Sequence, residues 1–137
     1  MTTVFALADS DRYGSQKVVY HINFKGGEDS RAYRGSMRNI QNHINAVGAV
    51  NLETKIVLHG DGLGLTAAAL EDERLQTQLL SLKGQGVEVV ICANTLTGRG
   101  IDYEMDLFDV YEDDIVPSGV AELSYLQQQG FTYIRPR

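Results

Sequence analysis

Short apolar runs alternate with longer amphipathic stretches along the chain. The run KVVYHIN, at 17–23, is rich in β-branched and aromatic residues and is followed by the turn composition FKGGEDS. This pattern predicts a strand that ends in a loop. At 31–47 apolar residues recur at helical spacing, and Gly48 is suited to end the helix. The periodic positions are Tyr33, Met37, Ile40, Ile44 and Val47.

The same order of elements repeats farther along the chain. The segment TKIVLHGDGLG predicts a second strand and a glycine-rich turn, and the leucines at 70–82 predict a second helix with acidic residues at its start. VEVVICA predicts a third strand, and DDIVP predicts a weaker fourth. Ser118 is a suitable N-cap for a last helix that Gly130 can end, and FTYIRP predicts a last strand.

Strands that alternate with helices at this spacing favour parallel βαβ crossovers. We therefore predict an α/β fold, namely a three-layer α/β/α sandwich with a mainly parallel sheet of about five strands. The length of 137 residues suits one domain. We place this domain at 17–137, after an N-terminal extension at 1–16 that contains the apolar patch VFALA.

Three chemically capable side chains stand at the predicted strand ends. His21 lies near the end of the first strand, His59 at the end of the second and Cys92 at the end of the third. Parallel strands end at one edge of a sheet, where ligands bind, so we expect all three side chains at one rim. If the strands run consecutively, His59 is nearer to Cys92. If the first strand lies between the other two, His21 is nearer.

Cys92 is the only cysteine of the chain, and the turn after it is suited to activate it. Asn94 and Thr95 are good N-cap residues, so the thiol should face the start of a short helix or turn at about 95–99. Backbone N–H groups and a helix start lower the pKa of a thiol, and Arg99 or a protonated histidine nearby would lower it further. Such a thiolate accepts sulfur as a persulfide or exchanges with a disulfide. The alternative is that Cys92 is a small buried side chain that completes its strand.

The glycine-rich turn HGDGLGL also allows two interpretations. Gly60 and Gly62 could present backbone N–H groups to an anion, although the motif matches neither common nucleotide-binding pattern. A sharp strand-to-helix turn explains these glycines more simply. His59 is the preferred candidate for donating a proton or orienting the thiolate, since the glycines leave its side chain room, and His21 is a second candidate. His43 is interpreted as a helix-packing or subunit-contact residue.

Composition and charge narrow the classes of partner. The net charge is −6, from 18 acidic and 12 basic residues, so neither nucleic-acid nor anionic-membrane binding is predicted. A lone cysteine forms no internal disulfide, and the start MTTVFALADSDR lacks the features of a secretion signal, so we expect a cytoplasmic protein. The histidines and the cysteine lack zinc-site spacing. No metal and no cofactor are predicted.

A basic stripe on the first predicted helix suggests a contact between subunits. Arg31, Arg34 and Arg38 recur on one side of this helix, which is typical of a solvated face. The alternative is an interface with the acidic segment at 102–114 of a neighbouring subunit. That segment also carries apolar residues at 103–111, which need cover.

Taken together, five motifs resemble the small stand-alone members of the DsrE/DsrF-like family. The resemblance runs from Lys17 to Pro136 and is carried by HIN, RNIQNHINAVGA, HGDGLGL, ICANTLTGRGID and VPSGVAELSYLQQQGFTYIRP. It implies a parallel α/β domain with consecutive strand order that assembles as homotrimers or hexamers. It also implies that Cys92 corresponds to the cysteine on which better understood members carry sulfur, in sulfur oxidation or in tRNA thiolation.

Two classes of function follow. In the first, the protein is a sulfur carrier or sulfurtransferase-like protein that takes up sulfane sulfur on Cys92 and passes it to a partner protein. In the second, it is an oligomeric module that binds a small anion at the rim, and its thiol is not catalytic. In both classes the expected site residues are those at the rim: Cys92, His59, His21, Gly60, Gly62, Asn94, Thr95 and Arg99.

Overall fold

A computed structural model describes residues 8–137 of the protein. Within this range the strands are β1 Gln16–Ile22, β2 Leu52–Leu58, β3 Glu88–Cys92, β4 Ile115–Val116 and β5 Thr132–Ile134. They form one sheet in the order β4-β3-β2-β1-β5, and each neighbouring pair is parallel. The predicted parallel sheet of about five strands is confirmed. The consecutive order of the first three strands is confirmed as well, since β2 lies between β1 and β3.

Helices connect the strands. Within the described range they are α1 Ser10–Tyr13, α2 Arg31–Val47, α3 Gly64–Ala68, α4 Glu73–Gly84, α5 Ala93–Arg99, α6 Tyr103–Asp106 and α7 Gly119–Gln128. The prediction for α2 is confirmed with the same bounds. The helix after β3 begins earlier than predicted, because α5 follows Cys92 without an intervening loop. The short helices α1, α3 and α6 were not predicted, since they are too short to show a periodic pattern.

Caps fix where the longer helices begin. Asp72 precedes α4 and accepts hydrogen bonds from the backbone N–H groups of Arg74 and Leu75, at 3.0 and 3.1 Å. Ser118 precedes α7 and accepts one from Ala121 at 3.1 Å, as its sequence position predicts. The Ser118 cap directs the start of α7 toward the carboxyl ends of β2 and β3, where Gly119 lies against His59 and Cys92.

The two faces of the sheet bury different sets of residues. Successive strand residues point to opposite faces. Tyr20, Ile56 and Ile91 point to the larger core, which also contains the apolar sides of α2 and α4. On the opposite face three valines of β1, β2 and β3 pack against α7 and Phe131; they are Val19, Val57 and Val90. The α/β/α layering is therefore confirmed.

The N-terminal extension lies only partly in the described range. Its predicted patch VFALA lies at 4–8, and residues 1–7 are outside the described residues. After this segment the backbone N–H of Asp9 donates to the Ala46 carbonyl at 2.8 Å, and β1 already begins at Gln16. The domain boundary at residue 17 stays a prediction.

The basic stripe of α2 is partly neutralised within the chain. Arg34 forms ion pairs with Asp29 and Asp72 at 3.3 and 3.5 Å, and its side chain is mostly buried. Arg31 and Arg38 are exposed. The predicted contact of this stripe with the acidic segment of another subunit stays a prediction, with Arg34 the member least available for it.

Candidate active site

A row of four polar side chains crosses the sheet on the face that α7 covers. Leu58 pairs with Ile91, so His59 and Cys92 follow side by side at the ends of β2 and β3. His21 lies near the end of β1, beside β2, and Tyr133 of β5 lies on the other side of β1. The row therefore runs Cys92, His59, His21, Tyr133 across four adjacent strands. The structure thus brings the three predicted rim residues together and adds Tyr133 to them.

The Cys92 thiol lies among hydrogen-bond donors from two helix starts. Cys92 is only 2% exposed. The donors around its sulfur are the Thr95 hydroxyl and the backbone N–H groups of Gly119, Thr95 and Asn94. The Cys92 side chain does not form a capping hydrogen bond to α5. These donors therefore stabilise the charge of the thiolate because they lie near it. Sequence reasoning found Asn94 and Thr95 but not Gly119, which comes from α7.

The balance of two opposing effects lowers the pKa of this thiol. Burial raises the pKa of Cys92, because it disfavours the charged form. The Thr95 hydroxyl lowers it, followed by the N–H groups of Gly119, Thr95 and Asn94. The donors outweigh burial, so the pKa of Cys92 lies below the ordinary thiol value of 9.0. A lowered pKa places more of the thiol in its nucleophilic form near neutral pH.

Thr95 is held in position by the turn after β2. Its Oγ1 accepts a hydrogen bond from the backbone N–H of Gly60 at 3.0 Å. Because a hydroxyl has a single proton and this contact uses one acceptor position, the proton stays free for the sulfur. Gly60 thus contributes to the site through Thr95 and not by holding an anion itself.

Two glycines allow the backbone to approach this site closely. A Cβ atom at Gly119 would lie 3.1 Å from the Cβ of His59 and 3.2 Å from that of Cys92. A Cβ at Gly62 would lie 1.7 Å from the carbonyl oxygen of Ile22. The N–H of Gly62 donates to the His59 carbonyl at 3.0 Å. Gly62 therefore shapes the turn, as the simpler interpretation of HGDGLGL proposed, and it presents no free N–H to a ligand.

An open pocket of about 400 Å³ collects most of the predicted site residues. Those that line it are His59, Gly60, Cys92, Asn94, Thr95 and Arg99, together with Gly98, Ser118 and Val120. His21 and Gly62 are not part of its lining. His21 is instead the neighbour of His59 on the side away from the thiol.

Arg99 has a different partner from the one the sequence suggested. Its Nη1 lies 2.8 Å from Oδ1 of Asp61, and both side chains are partly exposed. The hydrogen bond from Arg99 lowers the pKa of Asp61 against a small opposing effect of burial. Arg99 is not among the groups that shift the pKa of Cys92. Asp61 is therefore the charged partner of Arg99 in the structure, and an effect of Arg99 on the thiol pKa stays a prediction.

The histidines form a hydrogen-bonded series. Nδ1 of His21 lies 2.6 Å from the Tyr133 hydroxyl, and its Nε2 lies 3.4 Å from Nδ1 of His59. Burial lowers the pKa of His21, and the neighbouring His59 and Arg135 lower it further. His43 lies apart from this series, in α2, where it contacts the Tyr20 hydroxyl and Gln16. The interpretation of His43 as a packing residue agrees with these contacts.

A larger depression of about 540 Å³ lies beside the start of β3. Carboxylates dominate its lining, and two of them are paired with lysines, namely Glu88 with Lys55 and Asp109 with Lys83. Its lining contains neither a thiol nor an imidazole. The smaller pocket at Cys92 is therefore the stronger candidate for chemistry.

Residues 8–137 contain neither a candidate metal-binding cluster nor a candidate membrane-spanning helix. That range contains no group of three or more histidine, cysteine, aspartate or glutamate side chains that could hold a metal ion. None of the helices in the same range has the length and apolar character needed to cross a membrane.

Comparison with known proteins places the chain in a family. Among solved structures the chain is similar to MTH1491, a protein of unknown function from Methanobacterium thermoautotrophicum, with a TM-score of 0.73 and 28% sequence identity. The similarity covers 89% of this chain and 100% of that chain. No curated protein matches the chain. The model of the DsrE/DsrF-like family matches residues 17–136, which include every element from β2 to β5 and nearly all of β1. The chain therefore belongs to the DsrE/DsrF-like family.

Proposed function

We propose that the protein is a sulfur carrier that takes up sulfane sulfur on Cys92 as a persulfide and passes it to a partner. One observation supports this most strongly: the buried Cys92 directly precedes α5 and lies against Gly119 at the start of α7, and donors from both helix starts lower the pKa of its thiol. A thiol that only completed a strand would need no such donors. Membership of the DsrE/DsrF-like family supports a role in sulfur relay.

The proposed loading step needs no oxidant. The Cys92 thiolate attacks a sulfur atom of a polysulfide, and the adjoining S–S bond of the polysulfide breaks. The shortened polysulfide leaves with the electron pair, and Cys92 keeps one sulfur as a persulfide. The outer sulfur would extend into the pocket beside His59 and Arg99, where it is accessible to an acceptor.

Transfer out of the site must involve another molecule. The chain has one cysteine, so no second thiol within it can resolve a mixed disulfide. We therefore propose a sulfur donor and a sulfur acceptor outside the chain, at least one of them a protein. A thiolate of this kind is preserved in a reducing compartment, which is why we place the protein in the cytoplasm.

Mass spectrometry of the intact protein tests this function. We expect wild-type protein exposed to polysulfide, or to a cysteine desulfurase with cysteine, to gain the mass of a sulfur atom and to lose it on reduction. The Cys92→Ser variant should gain nothing. A wild-type protein that stays unmodified with every donor, while its Cys92 is alkylated normally, would refute the sulfur-carrier proposal.

A small-anion-binding role is the second candidate. Arg99 favours it, because its half-exposed guanidinium lines the same pocket as Cys92. Titration of Cys92→Ser with thiosulfate or sulfate tests it separately from sulfur transfer. Binding that persists in Cys92→Ser and is lost in Arg99→Gln would support the anion site.

We also propose that the chain assembles as a homotrimer or hexamer. The apolar residues of the segment at 102–114 are partly covered within the chain, since Leu107 and Val110 are buried in the larger core. Met105 and Tyr111 remain 75% and 62% exposed. These two side chains are the part of the segment that still needs cover. Sedimentation equilibrium at micromolar concentration should give a multiple of three, and a monomer would contradict the proposal.

A further inference from the structure

We propose that Tyr133, His21 and His59 form a proton-transfer chain that serves the Cys92 pocket, with His59 as the proton donor to the leaving group of a persulfide substrate. This inference rests on the proposed sulfur-carrier function and deepens it. It assigns a role to two residues, His21 and Tyr133, that do not line the pocket.

The geometry of the row supports continuous proton transfer. Tyr133 lies 2.6 Å from Nδ1 of His21, and Nε2 of His21 lies 3.4 Å from Nδ1 of His59. The second distance is long for a hydrogen bond, and catalytic hydrogen bonds often tighten only when the substrate binds. The two imidazoles are nearly parallel, with 22° between their planes. Both nitrogens of His21 are thus engaged, while Nε2 of His59 has no hydrogen-bond partner among residues 8–137.

The row ends in water on one side and in the pocket on the other. Tyr133 is 43% exposed at the β5 edge of the sheet, His21 is 7% exposed, and His59 lines the pocket with Cys92. Water can therefore exchange protons with Tyr133, whereas His21 exchanges them through its two neighbours. This arrangement connects the pocket with the outer edge of the sheet, three strands away from Cys92.

A neutral His21 gives the chain two equivalent arrangements. The groups that face it are His59, Tyr133 and Arg135, and burial together with the charges of His59 and Arg135 lowers its pKa, which keeps it neutral near pH 7. A neutral imidazole has one donor and one acceptor nitrogen. In the proton-transfer chain every proton can point toward the pocket, or every proton can point away from it. In both arrangements the Tyr133–His21 and His21–His59 contacts each have one donor and one acceptor. The passage of one proton converts one arrangement into the other.

The proposed transfer of sulfur to Cys92 uses the passage of one proton along this proton-transfer chain. The Cys92 thiolate attacks the outer sulfur of a donor persulfide, whose S–S bond breaks with its electron pair going to the donor's own sulfur. His59 gives its Nε2 proton to that sulfur, while its Nδ1 takes the proton of His21. Nδ1 of His21 takes the proton of Tyr133, and water replaces it. Cys92 thus gains one sulfur, and the donor leaves as a neutral thiol. The proton-transfer chain is again neutral, with its protons in the other of the two arrangements.

The substrate class follows from this chemistry. An alkyl thiolate is a basic leaving group and benefits from protonation, whereas an aromatic thiolate leaves readily without it. Proton donation by His59 should therefore matter for persulfides of alkyl thiols, such as cysteine persulfide. It should matter little for persulfides of aromatic thiols.

The proton-transfer chain is tested by measuring the rate at which Cys92 gains sulfur in a single turnover. The reaction is quenched with acid, and the mass of the intact protein is then measured. We compare Tyr133→Phe with Tyr125→Phe, which removes the hydroxyl of an exposed tyrosine of α7. With an alkyl persulfide we expect Tyr133→Phe to load about tenfold more slowly and His59→Gln roughly 100-fold more slowly. The pH dependence of the rate should flatten in Tyr133→Phe. With an aromatic persulfide Tyr133→Phe should load at the wild-type rate.

Other outcomes separate this inference from the proposed function. If wild type loads and Tyr133→Phe loads the alkyl donor at the wild-type rate with the same pH profile, the proton-transfer chain is refuted and the sulfur carrier stands. If Tyr133→Phe slows both donors equally, the hydroxyl acts only on structure and the chain is likewise refuted. If the wild-type protein takes up sulfur from neither donor, the sulfur-carrier proposal is refuted, and the proposed proton-transfer chain is refuted with it.

Discussion

The segments that follow β2 and β3 occupy equivalent positions in the sheet but use their backbone N–H groups differently. Both follow a short apolar strand that ends in a reactive side chain, His59 or Cys92. In the β2 turn the N–H groups are used inside the protein, with Gly60 donating to Thr95 and Gly62 donating to the His59 carbonyl. In the β3 turn, which is the first turn of α5 and lacks glycine, the N–H groups of Asn94 and Thr95 lower the pKa of the Cys92 thiol.

This contrast shows that glycine content does not identify the turn that presents donors. The glycines after β2 permit close contacts, such as that of Gly62 with the Ile22 carbonyl. The turn after β3 presents donors because α5 begins at Ala93, where the first N–H groups of a helix have no partner within it. The β2 turn therefore supports the site, and the β3 turn performs the proposed chemistry.

The largest expected effect is on the supporting turn. Gly62→Ala would place a Cβ 1.7 Å from the Ile22 carbonyl oxygen, so the backbone of β1 or of the turn must move. We expect the free energy of unfolding to fall by about 3 kcal/mol, as for severe overpacking. Urea unfolding monitored by circular dichroism measures this change.

Gly84→Ala is the matched control for this variant. A Cβ at Gly84 would meet no atom within 4 Å, and the residue lies at the end of α4. We expect no loss of stability, because alanine favours helix more than glycine does. Equal stability of Gly62→Ala and wild type would show that the β2 turn is not tightly constrained.

A smaller effect, confined to the thiol, is expected in the β3 turn. Thr95→Val removes the hydroxyl that lowers the pKa of Cys92 and also leaves the Gly60 N–H without its acceptor. The pKa of Cys92 should rise, so that less thiolate is present at pH 7. We expect iodoacetamide to alkylate the folded variant roughly tenfold more slowly at that pH, the size of a lost hydrogen bond to a charge.

The chain offers two controls for the hydroxyl. Thr95→Ser keeps it and should restore alkylation, whereas Thr97→Val alters an exposed threonine of the same helix and should leave the rate unchanged. In wild type the alkylation midpoint should lie below that of a cysteine in an unstructured peptide, and unfolding should abolish the difference. A wild-type thiol that reacts only after unfolding would mean that Cys92 is a core side chain.

Most of the fold and part of the site could be predicted from the sequence. The fold follows from local signals, such as the Ser118 cap and the α2 periodicity that ends at Gly48. Most of the site follows from one rule, that parallel strands end at a shared edge. Gly119 and Tyr133 were missed, because their roles depend on where α7 and β5 pack. The only available signal was that a Ser-capped helix follows β4, so that its start lies at the same edge as Cys92.

The smallest expected effect concerns the ion pair that joins Asp61 of the β2 turn to Arg99 at the end of α5. Arg99→Gln removes the hydrogen bond that lowers the pKa of Asp61, so this pKa should rise toward its ordinary value of 3.8. A lowered carboxyl pKa stabilises the folded state above that ordinary value, and the stabilisation is lost as the pH falls through the folded-state pKa. The variant should therefore lose less stability on acidification than wild type, by a small amount, because both side chains are partly exposed. Carboxyl chemical shifts of Asp61 across pH measure the change in its pKa.

Alkylation of Cys92 in the same variant tests whether Arg99 also acts on the thiolate. Since Asp61 already neutralises Arg99, the alkylation midpoint should stay at its wild-type value; a clear rise would show that Arg99 acts on the thiolate directly and that the division of roles between the two turns is incomplete.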